Sequence, residues 1–107
     1  MRTQGDAMTV YVIVQLTFRK RDAYDRYQAR FADVFRRFNG RLLAADEKPQ
    51  VLEGQWQGDK IVLLSFPDET SYRDWADSPA YQEIARDRKA GADAVALLVR
   101  GIDGYRR

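Results

Sequence analysis

The chain has 107 residues, 45% of them hydrophobic and 32% charged, and its 18 Lys and Arg against 16 Asp and Glu leave a net charge of +2. That length is one domain, long enough for a core and of ordinary soluble composition. The absence of cysteine and histidine excludes disulfides, thiolate nucleophiles, thiolate or imidazole metal sites and imidazole-ligated haem, and leaves Asp, Glu, Lys, Tyr and water for proton transfer.

No apolar run approaches the ~20 residues of a membrane span. The N-terminal MRTQGDA lacks the apolar stretch of a signal peptide. Met8 is a plausible natural start, so residues 1–7 are expected to be an extension and residues 103–107 a tail around a domain at 8–102. The expected setting is cytoplasmic. Basic clusters at Arg19-Lys20-Arg21, Arg36-Arg37 and Arg106-Arg107 are separated by acids. They suit a solvated surface better than the continuous basic face a nucleic acid requires.

Residues 9–18, TVYVIVQLTF, predict a first strand. Its even positions, Val10 to Phe18, are all apolar. Its odd positions, Tyr11, Ile13, Gln15 and Thr17, are only half polar. From 22 to 38 the spacing becomes helical, with Tyr24, Tyr27, Phe31, Val34, Phe35 and Phe38 in one aromatic stripe, which is core before it is a cofactor box. Asn39-Gly40 closes the helix with residues that tolerate a left-handed conformation. Residues 41–45 predict a second strand. After the turn 46–49, a short strand at 50–53 is expected to fold back on it and bring Arg41 beside Glu53 or Gly54.

The loop GQWQGD carries Trp56. The apolar run 61–66 predicts a central strand covered on both faces, ended by Pro67. A two-part helix follows. Asp68 caps the first part, with Tyr72, Trp75 and Ala76 inward; Ser78-Pro79 restarts it, with Tyr81, Ile84 and Ala85 inward. Gly91 breaks it, and residues 95–101 form the last strand.

The order β-α-β-β-α-β favours an α+β, ferredoxin-like plait: an antiparallel sheet with two helices on one face and the first and third strands in the middle. The other face would hold Tyr11, Ile13, Gln15, Thr17, Ile61, Leu63 and Ser65, a larger apolar patch than a monomer usually exposes. A homodimer with two sheets packed face to face, a dimeric α/β barrel, answers it.

The segments MTVYVIVQLTF at 8–18, Tyr24 and Tyr27, NGRLL at 39–43, VLEGQW at 51–56, VLLSFPD at 62–68 and WADSPAYQ at 75–82 resemble the DUF1330 family. That family is similar to the dimeric α+β barrel superfamily, which includes cofactor-free monooxygenases, small isomerases and haem-handling relatives. The resemblance implies the barrel and the homodimer and names no reaction. The sequence departs from the family at the first helix, which usually opens on Asp-Pro and here on Lys20-Arg21.

Gln15, Thr17 and Ser65 are neutral polar groups on otherwise apolar strands. Gln15 and Ser65 either contact a ligand or bond each other, a partner chain or water. Glu53, beside Gly54, is the best catalytic candidate if its surround is apolar, and otherwise pairs with Arg41. Trp56, Trp75 and Tyr81 either wall a pocket or, for Trp75 and Tyr81 above all, belong to the core. The helix-facing side is expected to be filled, which places any ligand on the opposite face. No phosphate-cradling glycine loop is present, and no cofactor or metal is expected. The function expected is small-molecule binding or cofactor-independent catalysis in the cavity of a homodimer. The alternative is a non-catalytic dimeric module for sensing or interaction. An RNA-binding sheet would need exposed aromatics in a basic strand motif, which the middle strands lack.

Overall fold

The computed structural model describes residues 8–102; the expected extension and tail lie outside them. Four strands, β1 (Val10–Phe18), β2 (Arg41–Asp46), β3 (Lys60–Phe66) and β4 (Ala92–Arg100), form one sheet in the order β2-β3-β1-β4. Every pairing is antiparallel, with Val12 opposite Leu64 on one side and Leu98 on the other. Three helices, α1 (Arg21–Phe35), α2 (Glu69–Ala76) and α3 (Pro79–Gly91), complete the ferredoxin-like arrangement.

The period-two pattern of β1 decides which face is which. Val10, Val12 and Leu16 are buried under the helices with Leu64 and Phe66 of β3. Tyr24, Tyr27, Val34 and Phe35 of α1 close on them, as do Trp75 of α2 and Tyr81, Ile84 and Ala85 of α3. The odd residues of β1, Gln15 among them, face away from this core, as the alternation requires.

Both expected helix starts downstream of β3 are present. Asp68 accepts the Ser71 N–H at 2.7 Å, and Ser78 Oγ accepts the Tyr81 N–H at 3.1 Å with Pro79 at the first helical position. Each such cap is worth about 1 kcal/mol. By contrast α1 starts without a side-chain cap, because Lys20 occupies that position and has no acceptor to offer. The Gly91 carbonyl instead accepts the N–H groups of Arg19 and Lys20 at 2.7 and 3.0 Å. A methyl on Gly91 would lie 2.5 Å from the Tyr24 nitrogen, so the glycine that ends α3 also lets two chain corners touch.

Three local expectations need correction. The segment 50–53 is not a strand, and β2 pairs only with β3, with a bulge between Leu42 and Ala44. Arg41 therefore sits opposite Ser65 rather than Glu53. The first helix ends at Phe35, capped by Arg36 in right-handed geometry. Gly40 is not left-handed; its place is set by packing, since a Cβ there would come within 2.6 Å of the Phe66 ring. The last strand begins at Ala92, three residues before the expected 95, since Gly91 passes directly from helix to sheet.

Candidate functional site

The helices do not fill the space over the sheet. Between them lies a cavity of about 480 Å³, within the size range of small-molecule sites. Val12, Val14 and Leu16 of β1 and Val62 and Leu64 of β3 make its floor; Tyr24, Tyr27 and Phe31 of α1, Trp75 of α2 and Tyr81 of α3 make its roof. The expectation of a filled helix side is thus overturned. The stripe on α1 does point inward, but large rings held apart by one another's edges leave room that spacing alone does not reveal.

One polar group rises from the floor. Lys60 is 5% exposed, and its ammonium donates to Gln28 Oε1 at 2.9 Å and stands 4.0 Å from Glu47. It also lies 5.0 Å above the Tyr24 ring. Burial pushes its pKa down, and the nearby Glu47 carboxylate partly restores it. Glu47 is held in turn by Arg21, which donates to both carboxylate oxygens at 3.1 and 2.7 Å. That fork holds the Glu47 carboxyl below its usual range.

The roof carries a second polar group. Tyr27 and Tyr81 bring their hydroxyls to 3.4 Å. Burial pushes the Tyr27 phenol up, and Tyr81 adds to the shift. The Tyr24 phenol is pushed up to about 12, again mainly by burial. Both phenols therefore stay neutral through the physiological range. Trp75 packs against Tyr81 with ring centroids 4.2 Å apart, and its indole Nε1 is buried without an acceptor. Arg88 also lines the cavity; its Nε is buried and likewise unanswered. An unmet buried donor is uncommon and costs about 1–3 kcal/mol.

The residues singled out from the sequence divide between the two faces. Trp75 and Tyr81 line the cavity. Gln15, Thr17 and Ser65 lie on the opposite face of the sheet, where Gln15 stands across from Ile61 and Ser65 from Tyr11. Four residues along a strand separate those two rungs, roughly 13 Å, so the two side chains cannot bond each other. Gln15 instead accepts the Trp56 indole N–H at 3.1 Å. The loop that carries Trp56 is tied down by Asp59, whose N–H reaches the Leu16 carbonyl at 2.7 Å and whose carboxylate accepts the Phe18 N–H at 2.8 Å. Glu53 is exposed in that same loop, away from the cavity, and forms no ion pair with Arg41. Gly54 beside it takes a positive φ of 87° with open space around it, so it serves a turn rather than a close approach.

Sequence reasoning missed Lys60, Gln28 and Arg88. A lysine opening an apolar strand on its buried parity, with Val62, Leu64 and Phe66, was the available signal for the first. Among the described residues no three His, Cys, Asp or Glu side chains converge in a way that would hold a metal ion, and no helix is long and apolar enough to cross a membrane.

Comparison with known proteins agrees with this architecture. A protein of unknown function, RPA0582 from Rhodopseudomonas palustris, superposes with a TM-score of 0.76 at 17% identity, covering 89% of this chain and 83% of that one. SnoaB, a cofactor-independent oxygenase from Streptomyces nogalater, gives 0.63 at 18% identity over 89% and 94%. A dimeric ferredoxin-like protein of unknown function from Thermobifida fusca gives 0.63 at 14% over 89% and 92%. These likenesses establish the fold. No curated protein sequence matches significantly. The model of the domain of unknown function DUF1330 matches residues 9–102, and the chain belongs to that family.

Proposed function

We propose that this DUF1330 protein is a homodimer in which each protomer binds a small, largely apolar molecule in the cavity between its helices and its sheet, and acts on it without a metal or organic cofactor. The observation that carries the binding site is the cavity of about 480 Å³ itself, walled by Val12, Val14, Leu64, Phe31 and Tyr81 with the Lys60 side chain among its lining. An apolar hollow of that size with a few polar groups in its lining is what a small-molecule site requires. Cofactor-free chemistry draws support from the likeness to SnoaB and from a sequence with neither histidine nor cysteine. The Lys60 ammonium, held by Gln28 and Glu47, is the group in the cavity suited to steady negative charge that develops on a bound molecule.

The dimer draws support from the open face of the sheet. Val95, Leu97 and Val99 of β4 are 56, 50 and 42% exposed, in line with Tyr11 and Ile13 of β1. Their side chains form an apolar sheet surface that a second copy would cover, and a structural neighbour of the same fold is dimeric. The open-face residues Gln15, Thr17, Ser65 and Arg41 then belong to the interface rather than to the ligand. A cytoplasmic setting remains part of this proposal.

A non-catalytic sensing or interaction module is the second reading. It is favoured by Lys60 already donating to Gln28 beside Glu47, which leaves less of it for catalysis. Native mass spectrometry tests the shared part: a mass of twice 12.4 kDa, with bound small molecules recovered from lysate, supports the proposal. A monomer, or a dimer that captures nothing and gains no melting temperature from any compound in a fragment library, defeats it. Turnover of a captured ligand, followed by product analysis and oxygen consumption, separates the catalytic reading from the sensing one.

A further inference from the structure

Four residues that line the cavity are exposed along one side of it, Gln28 and Ala32 on α1 and Leu42 and Ala45 on the edge strand β2. Leu42 and Ala45 stand opposite Leu64 and Val62 of the floor, so their exposure marks where the cavity meets solvent. Lys60 lies inside this mouth. Its stem starts on β3, and its ammonium crosses to α1, where Gln28 Oε1 accepts at 2.9 Å and the Tyr24 ring lies 5.0 Å away. Gln28 and Tyr24 both line the cavity as Lys60 does, which sets the ammonium at its wall. An ammonium has three hydrogens to donate. Among the described residues Gln28 is the one hydrogen-bond acceptor that Lys60 has, since Glu47 at 4.0 Å is beyond that range. Gln28 is itself an exposed side chain, and this is its one hydrogen bond among the described residues. Burial, the largest influence on Lys60, disfavours its charge. The Glu47 carboxylate that partly offsets this is already gripped through both oxygens by Arg21.

We infer that the cavity takes an apolar organic acid as its anion, whose carboxylate enters between α1 and β2 and replaces the Gln28 amide oxygen on the Lys60 ammonium. Gln28 is the placeholder for that oxygen. A neutral carbonyl would only repeat the bond the amide already makes, so the exchange would gain nothing. A carboxylate brings charge to both ends of the bond, which strengthens it. It also compensates an ammonium that is 5% exposed. Releasing a long surface side chain returns rotamer freedom to Gln28. The apolar body of the ligand follows from the walls beyond Lys60, where Val12, Val14 and Leu64 face the Phe31 ring. This inference rests on the binding-site reading above and adds the chemical class of the ligand and its point of attachment.

Calorimetric titration of the intact protein with 4-phenylbutyrate and with its neutral amide tests it, because the two probes share a shape and differ in charge. The carboxylate is expected to bind about tenfold tighter, the difference between a charge-assisted bond and a neutral one. Lys60→Met should erase that preference. Gln28→Ala removes the competing oxygen and should tighten the carboxylate several-fold. Equal binding of the two probes, or a preference that survives Lys60→Met in a variant with a native circular dichroism spectrum, overturns the anionic class and leaves the cavity reading standing. Carboxylate binding that Gln28→Ala weakens or leaves unchanged overturns the exchange at Lys60. Failure of both probes to bind at their solubility limits counts against the cavity reading itself. If Lys60→Met does not fold, Gln28→Ala decides alone by the same criterion.

Discussion

The two faces of the sheet are built from the same alternating strands and end in opposite conditions. On the helix face the apolar side chains are covered, yet polar donors are left without acceptors: Trp75 Nε1 and Arg88 Nε. On the open face the situation reverses. The polar side chain is answered, Gln15 by the Trp56 indole, while Val95, Leu97 and Val99 remain uncovered. An unfilled cavity of about 480 Å³ over that face calls for a small molecule. A missing apolar cover calls for another flat surface. One sheet thus points to two different partners, and the deficit on each face says which kind belongs there.

Removing a large side chain from each face breaks this comparison most severely. Phe66 is 1% exposed and packs its ring against Phe35, Tyr72 and Trp75. Phe66→Ala should cost about 3–5 kcal/mol in urea denaturation at any protein concentration. Leu97→Ala should behave differently, with a cost that shrinks towards ~0.5 kcal/mol as the protein is diluted below its dimer dissociation constant. A cost for Leu97→Ala that does not change with concentration would remove the distinction between the faces.

Charge on the open face sharpens the same point. Leu97→Asp should halve the mass seen by light scattering, from about twice 12.4 kDa to one chain, while far-UV circular dichroism stays native, because an unpaired carboxylate cannot be buried between two sheets. Persistence of the dimer would show that the subunits meet elsewhere.

A smaller effect separates the two indoles. Gln15→Leu removes the acceptor of Trp56 and should cost about 1 kcal/mol. Trp75→Phe removes a donor that already lacks an acceptor, and should be close to neutral provided the ring contacts with Tyr81 and Phe66 survive. Thermal melts of the two variants should rank Gln15→Leu below Trp75→Phe.

The smallest expected effect concerns pH. The Tyr24 phenol has its ordinary pKa of 10.0 in the unfolded chain, and burial pushes it up to about 12 in the folded one. Between those values the unfolded chain loses the phenol proton and the folded one keeps it, so this residue's contribution to stability is whole below pH 10 and fades as pH rises towards 12. Lys60 acts with the opposite sign: its lowered pKa makes stability rise with pH until the unfolded value of 10.5 is passed. Tyr24→Phe deletes only the first contribution. The variant should lose less stability than the parent between pH 9.5 and about 11, measured by denaturant midpoints; parallel profiles would contradict the buried phenol.

Much of this was legible in the sequence where one residue type has one physical use. The even positions of β1 were readable as core, and so was each cap around Pro67 to Pro79, because a Ser or Asp before a helical pattern has little else to do. What eluded the reading depended on pairs distant in sequence. Gln15 and Trp56 are 41 residues apart, and nothing local in either announces the other. The short strand at 50–53 was expected on the outer edge of Arg41 to Asp46, yet that strand pairs only with β3, and nothing local in either segment reports whether such an edge is taken. The cavity was invisible for another reason. Periodicity tells which way a ring points, whereas empty volume is set by how far apart its neighbours hold it. Trp75 and Tyr81 were assigned to core or to pocket wall; they are buried in the core and line the cavity as well.

The central place of β1 has a consequence for how the chain is made. It is the first of these four strands to leave the ribosome, and its two neighbours are β3 and β4, with Val10 set against Phe66 on one side and Arg100 on the other. For most of synthesis an apolar strand with two bare edges must wait for partners not yet translated. Pairing so distant along the chain is slow to form and leaves nascent material prone to stick to itself. A stop codon placed before β4 would therefore not yield a smaller stable sheet. It would leave the middle strand permanently at an edge, and the product should be found in inclusion bodies.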